Sequence, residues 1–227
     1  MSQPLDNTEC LPLIAIPSEK EFLGLFPSLS LPINQAILLP SKKAYVSVLG
    51  IGLLDFSVSL SKLLAEQKYS MVFQIGISGA FLNRGISIGD VVRVESEIIG
   101  DLGAENSDIT FLPWSEISKK NPKIYRTLFL EKSPDWLNHL RSVAGVSVNC
   151  CSGTENSALK RQALFNADVE SMEGAACFAV CNSFGIPCYE IRAISNYVTT
   201  RQTSLWEIPK ALSALKGLLT EAGFLCD

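Results

Sequence analysis

Apolar positions along the chain follow two rhythms. Short β-rich runs recur at 11–16, 35–39, 44–49, 71–75, 91–99, 145–149 and 188–194, and their length and composition predict strands. Between several of them the spacing changes. Leu53, Phe56, Leu60, Leu63 and Leu64 repeat at helical intervals, as do Leu205, Ile208, Leu212, Leu215 and Leu219, with Pro209 near the start of the second helix, where proline is tolerated. A third helix is expected over 172–183, with Gly185 just beyond it as a stop signal. The stretch 101–143 is more polar and less periodic, and reads as a loop followed by one or two helices. Strands alternating with helices predict an α/β fold: a single domain with a central mixed β-sheet flanked by helices.

Composition narrows the class. The chain has 227 residues, 47% of them hydrophobic, enough for one large domain with a buried core, and no shift in composition divides it. The net charge of −4 and scattered basic residues give no footprint for nucleic acid. No apolar run has the length of a membrane span, so no membrane partner is expected. The polar start of the chain is unlike a signal peptide, and residues 1–10 are expected to be flexible. Seven irregularly spaced cysteines do not form a disulfide framework, and they point to a reducing cytoplasm. Cys177 and Cys181 stand four apart on a predicted helix. With one histidine in the chain and no Cys-x-x-Cys, they read as buried thiols, and no metal is expected.

In open α/β sheets ligands bind beyond the carboxyl ends of the strands. That rule selects the loops 17–21, 50–52, 76–79, 150–154 and 196–201. In the first, Ser18 and Glu21 have the spacing of a capping box, and Glu21 is also a carboxylate at a strand end, able to take a proton from water. Gly50 and Gly52, and then Gly76, Ser78 and Gly79, form glycine-rich turns that allow a ligand close to the backbone. They match neither the dinucleotide fingerprint nor the phosphate-binding loop. Asp168, Glu170 and Glu173 precede a small-residue helix start, Gly174-Ala175-Ala176. Such carboxylates either cap the helix or accept hydrogen bonds from a sugar diol. Asn196 ends a buried strand as a turn former or as an amide that both donates and accepts. His139 lies in what looks like a surface helix, away from these loops, so a nucleophile–histidine mechanism is not expected.

Glu21, Gly50-Ile51-Gly52, Gly76-Ile77-Ser78-Gly79, Gly89-Asp90-Val91-Val92, Ser171-Met172-Glu173-Gly174-Ala175-Ala176 and Ile191-Arg192-Ala193-Ile194-Ser195-Asn196, in that order over almost the whole chain, resemble the nucleoside phosphorylase/hydrolase superfamily. The resemblance is strongest to its bacterial nucleosidases. It implies that Glu21 activates water and that Met172 and Glu173 hold the ribose. It places Ser152, Gly153 and Thr154 beside the base with Asn196, and Gly50, Gly52, Ser78 and Gly79 near the substrate. It also implies a homodimer acting on a purine nucleoside without a cofactor. Adenine-specific members carry an aspartate where this chain has Asn196. An asparagine suits a 6-oxopurine: its NH₂ donates to O6 while its carbonyl accepts from a protonated N7. Members that combine this asparagine with a following arginine, here Arg201, look like futalosine hydrolases, which release hypoxanthine in menaquinone biosynthesis. The alternatives are a methylthioadenosine/S-adenosylhomocysteine or aminodeoxyfutalosine nucleosidase and, from another class, a non-catalytic nucleoside-binding protein. Hydrolysis is expected over phosphorolysis, because the loops offer only Lys20 between Glu19 and Glu21, and leucines after Gly52, with no arginine to hold phosphate. The pocket for the ribose C5′ substituent is expected within 101–143.

Overall fold

Most strands of the main sheet meet a neighbour far away in sequence, and that is what assembles the site. The computed structural model describes residues 10–128 and 133–225; the expectation of a flexible N-terminus falls on residues 1–9, outside them. The chain runs β1 (Leu13–Ile16), α1 (Glu19–Leu25), β2 (Ile37–Leu38), β3 (Tyr45–Val48), α2 (Leu53–Glu66), β4 (Val72–Phe81) and β5 (Val91–Ile99). There follow β6 (Gly103–Glu105), β7 (Phe111–Pro113), α3 (Trp114–Ser118), β8 (Arg141–Ser147) and α4 (Glu155–Phe165). The last part is β9 (Val169–Ser171), α5 (Gly174–Phe184), β10 (Cys188–Val198) and α6 (Ile208–Glu221).

Eight strands form one mixed sheet in the order β10-β5-β8-β9-β4-β1-β3-β2, and β10 also pairs with β4. That extra pairing closes β4, β9, β8, β5 and β10 on themselves. β1 is parallel to β3 and β4, and β4 is parallel to β10, while β5 runs antiparallel to β10 and β9 antiparallel to β4. Side chains alternate across the strands, so each face buries its own set. Ile14, Ile16, Phe73, Ile75, Tyr189, Ile191 and Ala193 pack with α1 and α6. Leu13, Ala15, Val72 and Cys188 pack with α2 and α5. No helix among the described residues is long and apolar enough to cross a membrane.

The mixed α/β architecture and the three periodic helices are as the pattern predicts. Several local expectations are corrected. Gly76–Gly79 is not a turn but the continuation of β4, held in extended form by β10 on one side and β9 on the other. Asn196 lies inside β10 rather than in a loop after it. The described part of 101–143 holds a two-stranded hairpin, the five-residue α3 and a 3₁₀ turn over Asp135–Leu137, and β8 already begins within it. His139 is exposed in the turn after that 3₁₀ segment, not on a helix.

Candidate active site

A cavity of about 570 Å³ opens over the carboxyl ends of β1, β4 and β10 and is closed at its floor by charged side chains. Glu21 reaches it from the first turn of α1. The expected capping box is present: Ser18 Oγ accepts from Glu21 N, and the Glu21 carboxylate accepts from Ser18 N at 3.1 Å and from the Ser18 hydroxyl. Capping uses Oε2 and leaves Oε1 turned inward, where it accepts from Ile77 N at 2.8 Å. Capping thus leaves half of the carboxyl facing the cavity, where Glu21 is a lining residue. Burial pushes its carboxyl up from the usual range, Ser18 and Ile77 pull it down, and the nearby Glu173 raises it again.

Glu173 is the N-cap residue of α5 and is 4% exposed, too buried to be a solvated cap. Its side chain makes no capping bond; Oε1 instead accepts from Gly52 N at 3.0 Å and Oε2 from Arg192 at 3.2 Å. Gly52 presents that N–H from a left-handed conformation, φ +89°, at the start of α2. Met172, half-buried, lines the cavity beside Glu173.

Asn196 owes its direction to an irregularity. Ile194 pairs with Ser78 but Asn196 pairs with the next residue, Gly79, so Ser195 is extra. Such a bulge re-aims the side chains that follow it. A Cβ on Gly79 would lie 3.1 Å from Asn196 Nδ2 and 2.7 Å from a Val198 methyl. Asn196 Nδ2 donates to the carbonyl of Tyr197 at 3.1 Å, and Oδ1 accepts from Ser195 Oγ at 2.8 Å. A carbonyl can only accept, so this pair of contacts fixes which way the amide points. One N–H and one carbonyl lone pair remain for a ligand.

The remaining candidates divide. Ser78, Gly79 and Ser152 line the cavity. Ser152 is held by Glu170, whose carboxylate accepts from its N–H and its hydroxyl, both at 2.8 Å, and from Arg161 at 2.6 Å. Gly153 and Thr154 are not lining residues; Thr154 caps α4. Of the Gly50–Gly52 loop it is Ile51 that lines the cavity, while Gly52 acts on Glu173. Among the described residues, none from 101–143, where the C5′ pocket is expected, lines it. Its outer wall is instead Arg201, with its guanidinium carbon 4.8 Å from the Trp206 ring centre.

The loops named above offer no arginine at the floor, but a strand does. Arg192 of β10 is 1% exposed and lines the cavity. Its Nε donates to Glu190 at 2.7 Å, and its Nη1 to the Ile77 carbonyl at 3.3 Å. A Cβ on Gly76 would lie 2.7 Å from Arg192 Nη1 and 2.8 Å from Glu21 Oε1. Glycine is needed there because cation and carboxylate converge on that backbone. The signal was present in sequence: Glu190 and Arg192, two apart, share one face of an otherwise apolar strand. Ser78 Oγ is buried without a hydrogen-bond partner among the described residues. Cys177, Cys181 and Cys188 bring three thiols within 4.8 Å of one another, but none lines the cavity.

The profile of the phosphorylase superfamily matches residues 38–222. The chain is 30% identical over 190 residues to the futalosine hydrolase of Acidothermus cellulolyticus, covering 79% of this chain and 75% of that one. It is 29% identical over 184 residues to the futalosine hydrolase of Thermus thermophilus, covering 77% and 80%. Among solved structures, the 5′-methylthioadenosine/S-adenosylhomocysteine nucleosidase of Neisseria meningitidis in complex with methylthio-immucillin-A superposes with a TM-score of 0.71 at 15% identity, covering 93% of this chain and 97% of that one.

Proposed function

Because the chain belongs to the phosphorylase superfamily, we propose that it hydrolyses the N-glycosidic bond of a 6-oxopurine nucleoside, most specifically futalosine, giving hypoxanthine and dehypoxanthine futalosine in menaquinone biosynthesis. The observation that carries this reading is the convergence of Glu21, Glu173 and Arg192 on one glycine-lined floor. Glu173 accepts from the ribose hydroxyls. As the C1′–N9 bond stretches toward an oxocarbenium-like ribosyl, its electron pair moves onto the purine. The purine takes a proton from solvent at N7 as the bond breaks; Asn196 accepts from that N7–H and donates its free N–H to O6. Glu21, its carboxyl raised by burial, takes the proton of the water that adds to C1′. Met172 packs against the sugar and Ser152 lies on the base side; no cofactor is required.

Arg192 does not turn this into a phosphorylase. Its charge is committed to Glu190 and Glu173, and a phosphate dianion at that place would meet three carboxylates. Ile51, Leu54 and Val58 are 57%, 73% and 61% exposed at the rim and along α2, an apolar stripe that supports a homodimer. The place of action we propose is the cytoplasm, where the clustered thiols stay reduced.

The test is to incubate the protein with futalosine, aminodeoxyfutalosine, methylthioadenosine and inosine, with and without phosphate. Free hypoxanthine from futalosine in phosphate-free buffer is the expected result. Adenine release from methylthioadenosine would overturn the role of Asn196, and strict phosphate dependence that of Glu21. Full activity of a Glu21→Gln variant would also remove the water-activation step.

A further inference from the structure

The floor has a second layer that the reaction above does not use. Behind Arg192, on the face of β10 turned toward α5, lies Glu190, and across from it Glu97 of β5; both are wholly buried. Glycines make room for them. A Cβ on Gly145 would collide with Glu97 Oε1, and one on Gly174 with Glu190 Oε2. Glu190 Oε1 accepts from Arg192 Nε at 2.7 Å, while no N–H or hydroxyl among the described residues reaches its Oε2. The two carboxyls are within hydrogen-bonding reach of each other. Glu97 Oε2 accepts from Ser147 Oγ at 2.9 Å, and Ser171 Oγ stands 3.4 Å from its Oε1.

Two buried carboxyls in contact cannot both be ionised beside one cation that also serves Glu173 and neighbours Glu21. The donor geometry says which keeps its charge. Arg192 points an N–H at Glu190, so Glu190 is the carboxylate. The proton then stays on Glu97, which donates it to the otherwise unpartnered Oε2 of Glu190. Resting on the hydrolase reading, we propose that Glu97 and Glu190 are a proton-sharing carboxyl pair that positions Arg192, and through Arg192 sets the placement of Glu173 and the basicity of Glu21.

Burial, and then the neighbouring Glu190, hold the Glu97 carboxyl well above its ordinary range. Burial raises Glu190 too, against the pull of Arg192. The charged and titratable groups facing the pair are Arg192 and Cys188 from β10, Cys177 from α5, Glu173 at its start, and Glu21 from α1. Arg192 divides its attraction among Glu190, Glu173 and Glu21. Glu190→Gln keeps an acceptor for Arg192 Nε and a donor for Glu97 but removes one claimant on that charge. Glu21 should then ionise more readily.

Three measurements test the pair. The first is infrared spectroscopy of the Glu21→Gln protein at neutral pH. It should show a protonated-carboxyl C=O band that disappears when Glu97→Gln is added; absence of the band overturns the proposal without needing any variant at 97 to fold. The second is the melting temperature of Glu97→Gln against wild type. Unfolded Glu97 ionises above about pH 4.3, whereas folded Glu97 does not until its raised value is reached. Wild type therefore loses stability as pH rises through that window, and the Glu97→Gln variant does not. The difference in Tm should grow in favour of the variant between pH 5 and 8; an offset independent of pH overturns the assignment. The third is the pH profile of kcat/KM for Glu190→Gln. Its acid limb should move down by about one pH unit, while Glu190→Ala, which frees Arg192, should raise KM more than it lowers kcat. An unmoved limb overturns the link to Glu21. A wild-type protein that releases no base defeats the hydrolase reading instead, because the infrared and Tm results need no turnover.

Discussion

On one face of β10, Tyr189, Ile191 and Ala193 pack with Leu212, Leu215 and Leu219 of α6 in an apolar layer. On the other, Glu190 and Arg192 are equally buried and join Glu173, Glu97 and Glu21 in a chain of ionisable groups at and behind the cavity floor. Alternation along one strand thus divides labour between its faces. The first is held by area removed from water, which tolerates changes of shape at a graded cost. The second is held by pairing, where losing one member strands the others in low dielectric.

The strongest way to break the contrast is Arg192→Met, which keeps bulk and removes charge. It strands Glu190 and Glu173 and should cost about 3–5 kcal/mol in urea unfolding. Nucleoside hydrolysis should fall at least about 100-fold, since Glu173 loses its orientation. A loss below about 1 kcal/mol would show that the charged face is not held by its cation. Next comes Leu215→Ala on the apolar face. Leu215 is wholly buried, and a cavity there should cost about 2–5 kcal/mol. Turnover per folded molecule should stay within about twofold, because α6 touches the site only at its start, through Ile208. A large loss of kcat would mean that the two faces are coupled.

How much of each face was legible follows from the same contrast. The α6 face announces itself, because its leucines keep helical spacing and its strands are apolar runs. So does α5, where Gly185, in left-handed conformation at φ +67°, stops a helix that Glu173 begins. The charged face is not local. Gly76 and Gly79 look like turn residues until β9 and β10 lie beside them, and Arg192 looks anomalous until Glu173, Glu190 and Glu21 surround it. β9 is three residues long and exists because β4 and β8 pair with it. α4 was missed because its surface is largely exposed and its apolar residues keep no stripe: of its residues only Ala158 is buried. The bulge at Ser195 has no signature in sequence at all, yet it aims Asn196.

Asn196→Asp sharpens the comparison at the edge of the charged face. Asn196 is partly exposed and, among the described residues, its side chain is bonded only to its neighbours Ser195 and Tyr197, so stability should change by less than about 1 kcal/mol. Selectivity should move instead. An aspartate removes the N–H offered to O6, and hypoxanthine release should fall roughly 10–100-fold in kcat/KM, with adenine release gaining relative to it. Unchanged selectivity, measured on paired 6-oxo and 6-amino nucleosides, would place base recognition elsewhere.

The smallest effect expected is at Ser18, where a structural and a chemical role meet in one hydroxyl. Ser18→Ala removes the cap of α1, worth about 1 kcal/mol by thermal or urea unfolding. It also removes the hydroxyl that accompanies Glu21 Oε2. That hydrogen bond favours the ionised carboxylate and pulls Glu21 down against burial, so without it Glu21 should stand still higher. A general base works deprotonated, so kcat/KM falls as pH drops through the Glu21 pKa. The sign follows: the acid limb of the Ser18→Ala profile should move to higher pH, opposite to the shift expected for Glu190→Gln. Because the limb is governed by ionisation and the cap by helix geometry, the two should separate. Above the limb the variant should recover nearly full activity while its loss of stability persists. A variant that is less stable but keeps the wild-type limb would make Ser18 a cap and nothing more, and would leave Ile77 N and Arg192 as the groups that keep Glu21 ionised.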